Sequence, residues 1–363
     1  MIRFLKQEFV LLLAIITVFL FKSCGDGLLQ TQMSSAQGIA LTFCLFVVVM
    51  AAIFAVVRHS DALAIKLGDP YGTLILTLSV ILLEVVMISS VMLTGEANPV
   101  LARDTMFAVV MTVLNGLVGI TLLIGGVKYH TQKYNLDGLK SYLVAIVPLA
   151  LLCLVLPNFT SVSESGAMSH SLTVTLVLTS IVLYAVFLFI QTRSHTHFFM
   201  DEDHQDEHEF HGPLGSNLYH SIMLIGYLAV VILLAKSLAI PIDGTVNLLG
   251  APPAIGGLIV AILILAPEAV GAAKAALNNQ LQRAMNLFFG SVLATIALTV
   301  PAVLLISSMI EQPIRLGLEP AEMVLLVTTI IMTGISFSSG RTNSLNGAAH
   351  LILFIAYIIL MFE

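Results

Sequence analysis

Eleven apolar runs, each near the roughly 20 residues an α-helix needs to cross about 30 Å of hydrocarbon, follow one another along the chain. They lie at approximately 4–21, 36–57, 71–93, 104–127, 141–157, 170–191, 218–240, 251–273, 286–308, 321–339 and 344–361. Lipid offers no water to a backbone N–H or C=O, so such runs must close their hydrogen bonds internally, as helices. The composition agrees: 58% of residues are hydrophobic and only 10% charged, too few to solvate a soluble surface. The expected fold is therefore an all-α polytopic membrane protein with about eleven transmembrane helices and the lipid bilayer as an obligatory partner.

The net charge of -6 is small and concentrated in one link, so neither a basic stripe for nucleic acid nor a polybasic tail for lipid headgroups is present. Cys44 and Cys153 fall inside apolar runs and Cys24 stands alone in a link, which suggests packing thiols rather than a disulfide framework. Arg3 and Lys6 ahead of the apolar stretch from Phe9 to Phe21 have the look of a signal peptide. The following Phe21-Lys22-Ser23-Cys24 places a lysine where a peptidase requires small residues, so a retained anchor is expected.

Lysines and arginines divide unevenly between the two sets of links. Eleven of them, including Arg3, Lys6, Arg58, Lys128, Arg193 and Lys274, share the side of the N-terminus, whereas Lys22, Arg103, Lys236 and Arg315 lie on the other. The positive-inside rule then predicts a cytoplasmic N-terminus and an external C-terminus. One leading helix followed by five and five turns the second group upside down relative to the first. The organisation expected is an anchor and link at 1–35, a five-helix repeat at 36–191, a connector at 192–217 and an inverted five-helix repeat at 218–363. Inverted halves of this kind are common in secondary transporters, whose sites lie near the midplane.

Each half carries one carboxylate deep in an apolar run, Glu84 and Glu268. Holding an acid at bilayer depth costs about 2.5–3.5 kcal/mol on insertion scales, so both are read as functional. Arg103-Asp104-Thr105-Met106-Phe107 aligns with Arg283-Ala284-Met285-Asn286-Leu287, and four further residues in the second link bring Glu84 opposite Glu268. Helical spacing puts Thr73, Thr77 and Glu84 on one face, and Gly257, Ala261, Ile264, Glu268 and Gly271 on another. The next helices carry small polar stripes, Thr112, Asn115 and Gly119 in one and Ser291, Thr295 and Thr299 in the other. Thr77, Thr112, Asn115, Ser291 and Thr295 are the candidate supporting ligands. The structural alternative is that small residues simply let membrane helices approach closely.

Two carboxylates would neutralise one calcium ion, with hydroxyls and carbonyls completing a shell of hard oxygen donors. Without the ion, burial and mutual repulsion raise the carboxyl pKa, and protons take its place. A cation or protons then fill the site, never both, and that competition couples their movements. Pro267, just before Glu268, removes a backbone donor and frees a carbonyl that either ligands the ion or merely kinks the helix.

Gly68-Asp69-Pro70-Tyr71-Gly72 through Glu84, then Gly125-Gly126, Lys128, Gln132 and Asn135, resemble the first repeat of the proton-coupled calcium antiporters. Pro267-Glu268, Lys274, Asn278-Asn279, Gly290-Ser291, Gly340-Arg341-Thr342-Asn343 and Asn346-Gly347 resemble the second. This is the cation/proton exchanger (CAX) branch of the calcium:cation antiporter superfamily, in its bacterial form, and the similarity runs from about Val57 to the end of the chain. The resemblance implies eleven helices in a bacterial inner membrane, alternating access, no cofactor, and Glu84 and Glu268 exchanging exported Ca2+ for protons. The family's glycine-asparagine before each glutamate is replaced here by Val80-Ile81-Leu82-Leu83 and Leu265-Ala266-Pro267. A shell lacking those amides also suits Na+ and K+.

The connector holds Asp201-Glu202-Asp203, Asp206-Glu207 and Glu209 among His195, His197, His204, His208 and His211. A solvated linker is the plain reading, and a calcium site or a zinc site at His204, His208 and His211 the sharper one. His170 and His350 are expected as packing or interfacial residues, with a proton path through either as the functional alternative. An intramembrane enzyme is not expected: neither H-E-x-x-H nor G-x-S-x-G occurs, and Gly334-Ile335-Ser336-Phe337-Ser338 lacks the last glycine. Monovalent cation/proton exchange and Na+/Ca2+ exchange stay open as alternatives, as does assembly into a homo-oligomer.

Overall fold

The structure, a computed structural model, describes residues 8–25, 36–67, 71–94, 99–160, 169–200, 215–248, 250, 252, 254–310 and 314–363. Each of the eleven apolar runs carries a helix. They are α1 (Phe9–Leu20, ending in a π turn at Phe21–Gly25), α2 (Ala36–Leu67), α3 (Tyr71–Thr94), α4 (Leu101–Tyr129), α5 (Leu136–Leu154), α6 (His170–Phe189) and α7 (Asn217–Leu248). After them come α8 (Ala254–Leu277), α9 (Leu281–Ala294, continuing through a π turn into Val300–Ile310), α10 (Pro320–Ser336) and α11 (Ser344–Leu360). Among the described residues seven helices are long and apolar enough to cross a membrane, and shorter apolar helices account for α1, α10, α11 and the described part of α3. Ile331 and Ile335 on α10, and Ile352, Ile355 and Ile359 on α11, face outward, an apolar surface suited to lipid. The protein is thus the all-α polytopic membrane protein that its sequence predicts.

The main departure in boundaries is α2, which runs ten residues beyond the expected end at 57. Polarity at Arg58-His59-Ser60-Asp61 ends the apolar run, but nothing there breaks a helix, and Ala62 and Leu63 are buried again. The breakers come only at Gly68 and Pro70.

The chain forms two compact units, each drawing helices from both halves of the sequence: Met1–Asn98 with His208–Ile264, and Pro99–Glu207 with Leu265–Glu363. In the first unit α7 packs along α2 and α3, and α1 lies against α2 and α7. Leu45, Val49, Ile53 and Val56 of α2 and Tyr227, Val231 and Leu234 of α7 form its core.

In the second unit α4 is central, every residue from Leu101 to Gly116 being buried. The charges at its start are satisfied inside the protein: the Arg103 guanidinium lies 2.7 Å from the Asp104 carboxylate and donates to the Gly317 carbonyl. α11 crosses α4 at a glycine pair. A Cβ on Gly347 would stand 2.6 Å from the Leu123 nitrogen and 2.8 Å from the Gly119 oxygen, so only glycine permits this approach. The links flanking these helices also pair, Gln132 opposite Thr342 and Lys133 opposite Arg341 in a two-stranded antiparallel ribbon.

α4 and α9 share a further irregularity. α4 carries a π turn at Thr112–Leu117 and α9 one at Thr295–Thr299, starting 183 residues apart where Glu84 and Glu268 are 184 apart. In α9 the cause is partly Pro301, which lacks the N–H that the Ala297 carbonyl would otherwise receive. Turns of this kind widen a helix locally and are frequent at functional sites.

Candidate functional site

Glu84 stands on α3 with 2% of its surface exposed, between Leu83 and Met87, which are buried to the same depth. The sequence that makes α3 a membrane helix leaves this carboxylate as its one acid. Thr77, two turns earlier, lies outside the described side chains, as does Thr73.

Glu268 follows Pro267 within α8. The proline leaves the Leu263 carbonyl, one turn back, without its helical donor. Glu268 is half-buried overall, and its Oε2 is shut off from solvent. Glu268 belongs to the second unit together with Thr112, Asn115, Ser291 and Thr295, while Glu84 and Thr77 belong to the first.

The candidate supporting oxygens of α4 and α9 lie on the π turns or just before them. Thr112 and Asn115 are buried on α4; on α9 Thr295 and Thr299 are buried and Ser291 half-buried one turn before them. Thr112 Oγ1 and Thr299 Oγ1 have no hydrogen-bond partner among the described residues. A buried hydroxyl left unsatisfied costs about 1–3 kcal/mol, so two of them on matching π turns are candidate ligand oxygens. Thr299 was legible as part of the stripe on this helix, and its orphaned hydroxyl adds it to the candidates.

Asn115 is different. Its Nδ2 donates to Thr329 Oγ1 at 2.7 Å, and its Oδ1 accepts from His350 Nδ1 at 3.2 Å. A neutral imidazole with its proton on Nδ1 offers Nε2 as an acceptor, and the Ser336 hydroxyl lies 3.1 Å from it. His350, expected as a packing residue, thus links α4, α10 and α11 through a buried polar chain. The hint in the sequence was a histidine in the middle of an apolar helix.

Residues that looked like family motifs have local structural work. Lys128 Nζ and Tyr129 Oη donate to the Leu277 carbonyl at 2.6 and 2.7 Å, and Gln132 Nε2 donates to Ala276 O and Asn279 Oδ1. Together they satisfy carbonyls at the C-terminus of α8, where a cation also suits the helix dipole. Asn279 takes the positive φ (61°) that ends the helix. Asn135 and Asn343 cap α5 and α11, accepting from backbone amides two or three residues on. Among the described residues no three His, Cys, Asp or Glu side chains come together as a metal cluster. The connector acids and His204, His208 and His211 lie outside the described residues.

Comparison with known proteins adds a relationship to this geometry. The sodium/calcium exchanger protein family matches residues 37–193 and 219–363, on either side of the connector. The chain is 47% identical over 329 residues to the sodium-potassium/proton antiporter ChaA of Escherichia coli (strain K12), covering 89% of each. It is 23% identical over 319 residues to the Ca(2+)/H(+) antiporter ChaA of Bacillus subtilis (strain 168), covering 88% of this chain and 89% of that one. In fold it is similar to the crystal structure of the Ca2+/H+ antiporter protein YfkE, with a TM-score of 0.70 at 22% identity, covering 98% of this chain and 99% of that one.

Proposed function

The chain belongs to the sodium/calcium exchanger protein family, and from that premise we propose that it is a secondary active antiporter exchanging cations for protons, with Glu84 and Glu268 as the groups that carry either. The observation that carries this reading is Glu84: a carboxylate 2% exposed in an apolar helix is held there against its desolvation cost. A bound cation offsets that cost, and so does a proton. Each state therefore excludes the other, and cation leaving on one face is balanced by protons arriving from the opposite one. The chain's own contribution is to keep water away from the acid in α3, to break the backbone pairing next to Glu268 with Pro267, and to hold Thr112 and Thr299 as spare oxygens.

Na+, K+ and Ca2+ are the cargo we assign. The 47% identity to a sodium-potassium/proton antiporter supports the monovalent ions, and the more distant Ca(2+)/H(+) antiporter supports calcium. Hydroxyls without the family's amides form a shell that does not enforce one of these ions. The excess of lysine and arginine on the N-terminal side supports a cytoplasmic N-terminus in a bacterial inner membrane.

Everted vesicles or proteoliposomes containing the chain and a trapped pH probe test this directly. Adding Na+, K+ or Ca2+ to vesicles acidified inside should dequench the probe as protons leave. If none of the three does so while a Na+ gradient drives Ca2+ movement, the protein is a sodium/calcium exchanger instead.

A further inference from the structure

At one end of the first unit, the start of α1, the last turns of α2 and the first turns of α7 bring together a buried cluster of ionisable groups. Glu8 precedes α1. Its Oε1 accepts from Tyr219 Oη at 2.6 Å, and its Oε2 accepts from Tyr227 Oη at 2.7 Å and Arg58 Nη2 at 2.8 Å. His59 Nε2 lies 3.4 Å from the same Oε2 and 3.1 Å from Arg58 Nη2. On its other side, His59 Nδ1 stands 2.9 Å from His220 Nδ1. The two imidazoles are 1% and 2% exposed, and the His59 ring stacks on Tyr227 with centroids 5.6 Å apart.

Two ring nitrogens at that separation need one proton between them: one donates and the other must be bare. With both rings neutral the contact forms. One added proton still permits it, as N–H···N between an imidazolium and a neutral ring, and the Glu8 carboxylate beside His59 offsets the charge. A second added proton sets N–H against N–H, and the contact has to open. The pair therefore registers how many protons it holds.

We propose that Glu8, His59 and His220 form a second proton-binding site, separate from Glu84 and Glu268, whose proton load decides whether the first turns of α7 stay docked on α1 and α2. Among the described residues, charged and titratable groups come toward the pair from the packed elements as follows. α2 brings Arg58 and Lys66, the latter bonded to the Gly215 carbonyl, and α7 brings Tyr219 and Tyr227. α3 packs on both helices and meets this end through the Ile75 carbonyl, which accepts from Ser60 Oγ. Its acid, Glu84, is nine residues further along. Arg58 and Lys66 oppose protonation of the pair and Glu8 favours the first proton. The docked state accordingly belongs to neutral and alkaline pH, where the pair holds at most one added proton, and the separated state to pH acid enough to load the second.

Hydrogen–deuterium exchange on the full chain in lipid nanodiscs tests this without reference to transport. After correction for intrinsic exchange rates, the amides of α7 between His220 and Leu228 should exchange about tenfold faster near pH 5 than near pH 8. In H59Q and H220Q, whose amides hydrogen-bond but take up no proton, that ratio should fall below about twofold. Equal protection at both pH values in the wild type overturns the proposal, as does a full pH response in both variants. Should a variant fail to fold, the wild-type comparison decides alone.

Discussion

His350 and Asn115, 235 residues apart in sequence, meet ring nitrogen to amide oxygen at 3.2 Å in the interior of the second unit. Thr329 takes the amide's donor side at 2.7 Å and Ser336 the ring's far nitrogen at 3.1 Å. The four polar groups form one buried chain, and it fixes the Asn115 side chain from two directions.

Removing His350 should therefore be felt at Asn115. His350→Leu strands a buried amide oxygen and a buried hydroxyl, which we expect to cost about 1–3 kcal/mol. His350→Gln, which can donate to the same oxygen, should recover at least half of that. Thermal melts of the two variants in detergent distinguish the outcomes, and equal melting temperatures would show that the bond contributes nothing.

The carboxylates carry the functional prediction. Glu84→Gln and Glu268→Gln should each abolish cation/proton exchange while inserting normally, because a neutral side chain partitions into lipid more readily than a charged one. Expression and vesicle flux measured together check this. Exchange retained by either variant at normal abundance places the transported charge elsewhere.

Thr112 and Thr299 offer a test that separates ligand oxygens from structural ones. Their hydroxyls have no partner among the described residues, so Thr112→Val and Thr299→Val should leave stability within about 1 kcal/mol of the wild type or raise it. The apparent affinity for the transported cation should nevertheless fall several-fold. A large drop in melting temperature with unchanged affinity would reverse the assignment.

Gly347 and Gly116 both face another helix, and alanine should be costly at the first and tolerated at the second. The new methyl of Gly347→Ala would overlap the backbone of α4 at 2.6 Å, and we expect destabilisation of about 1–3 kcal/mol. At Gly116 the nearest atoms belong to the Phe354 ring, 3.4 Å away, and that side chain can give. Melting temperatures of the pair, measured side by side, test the contrast.

How much of this could be read beforehand depended on how local the cause was. Each apolar run yields a helix because burial of the backbone in lipid leaves no alternative, so all eleven were legible, as was the oddity of Glu84 and Glu268 within them. The end of α2 was not, since hydropathy falls at Arg58 while helix propensity does not. The π turns at Thr112 and Thr295 depend on packing and, in α9, on a proline two residues beyond the turn. The Glu8, His59 and His220 cluster was invisible for another reason: its members come from the residue before α1 and from α2 and α7, and each alone resembles an ordinary polar residue near the end of an apolar run. Lys128, Gln132 and Asn279, conspicuous in sequence, turned out to close the end of α8.

The crossing of α4 and α11 limits what the protein can do when it moves. Gly119 and Gly347 put main chain directly on main chain, with no side-chain layer in between to shear or swing aside. Helices so joined travel as a single strut, and any rearrangement that exposes the buried hydroxyl of Thr112 must carry the last helix of the chain along with it.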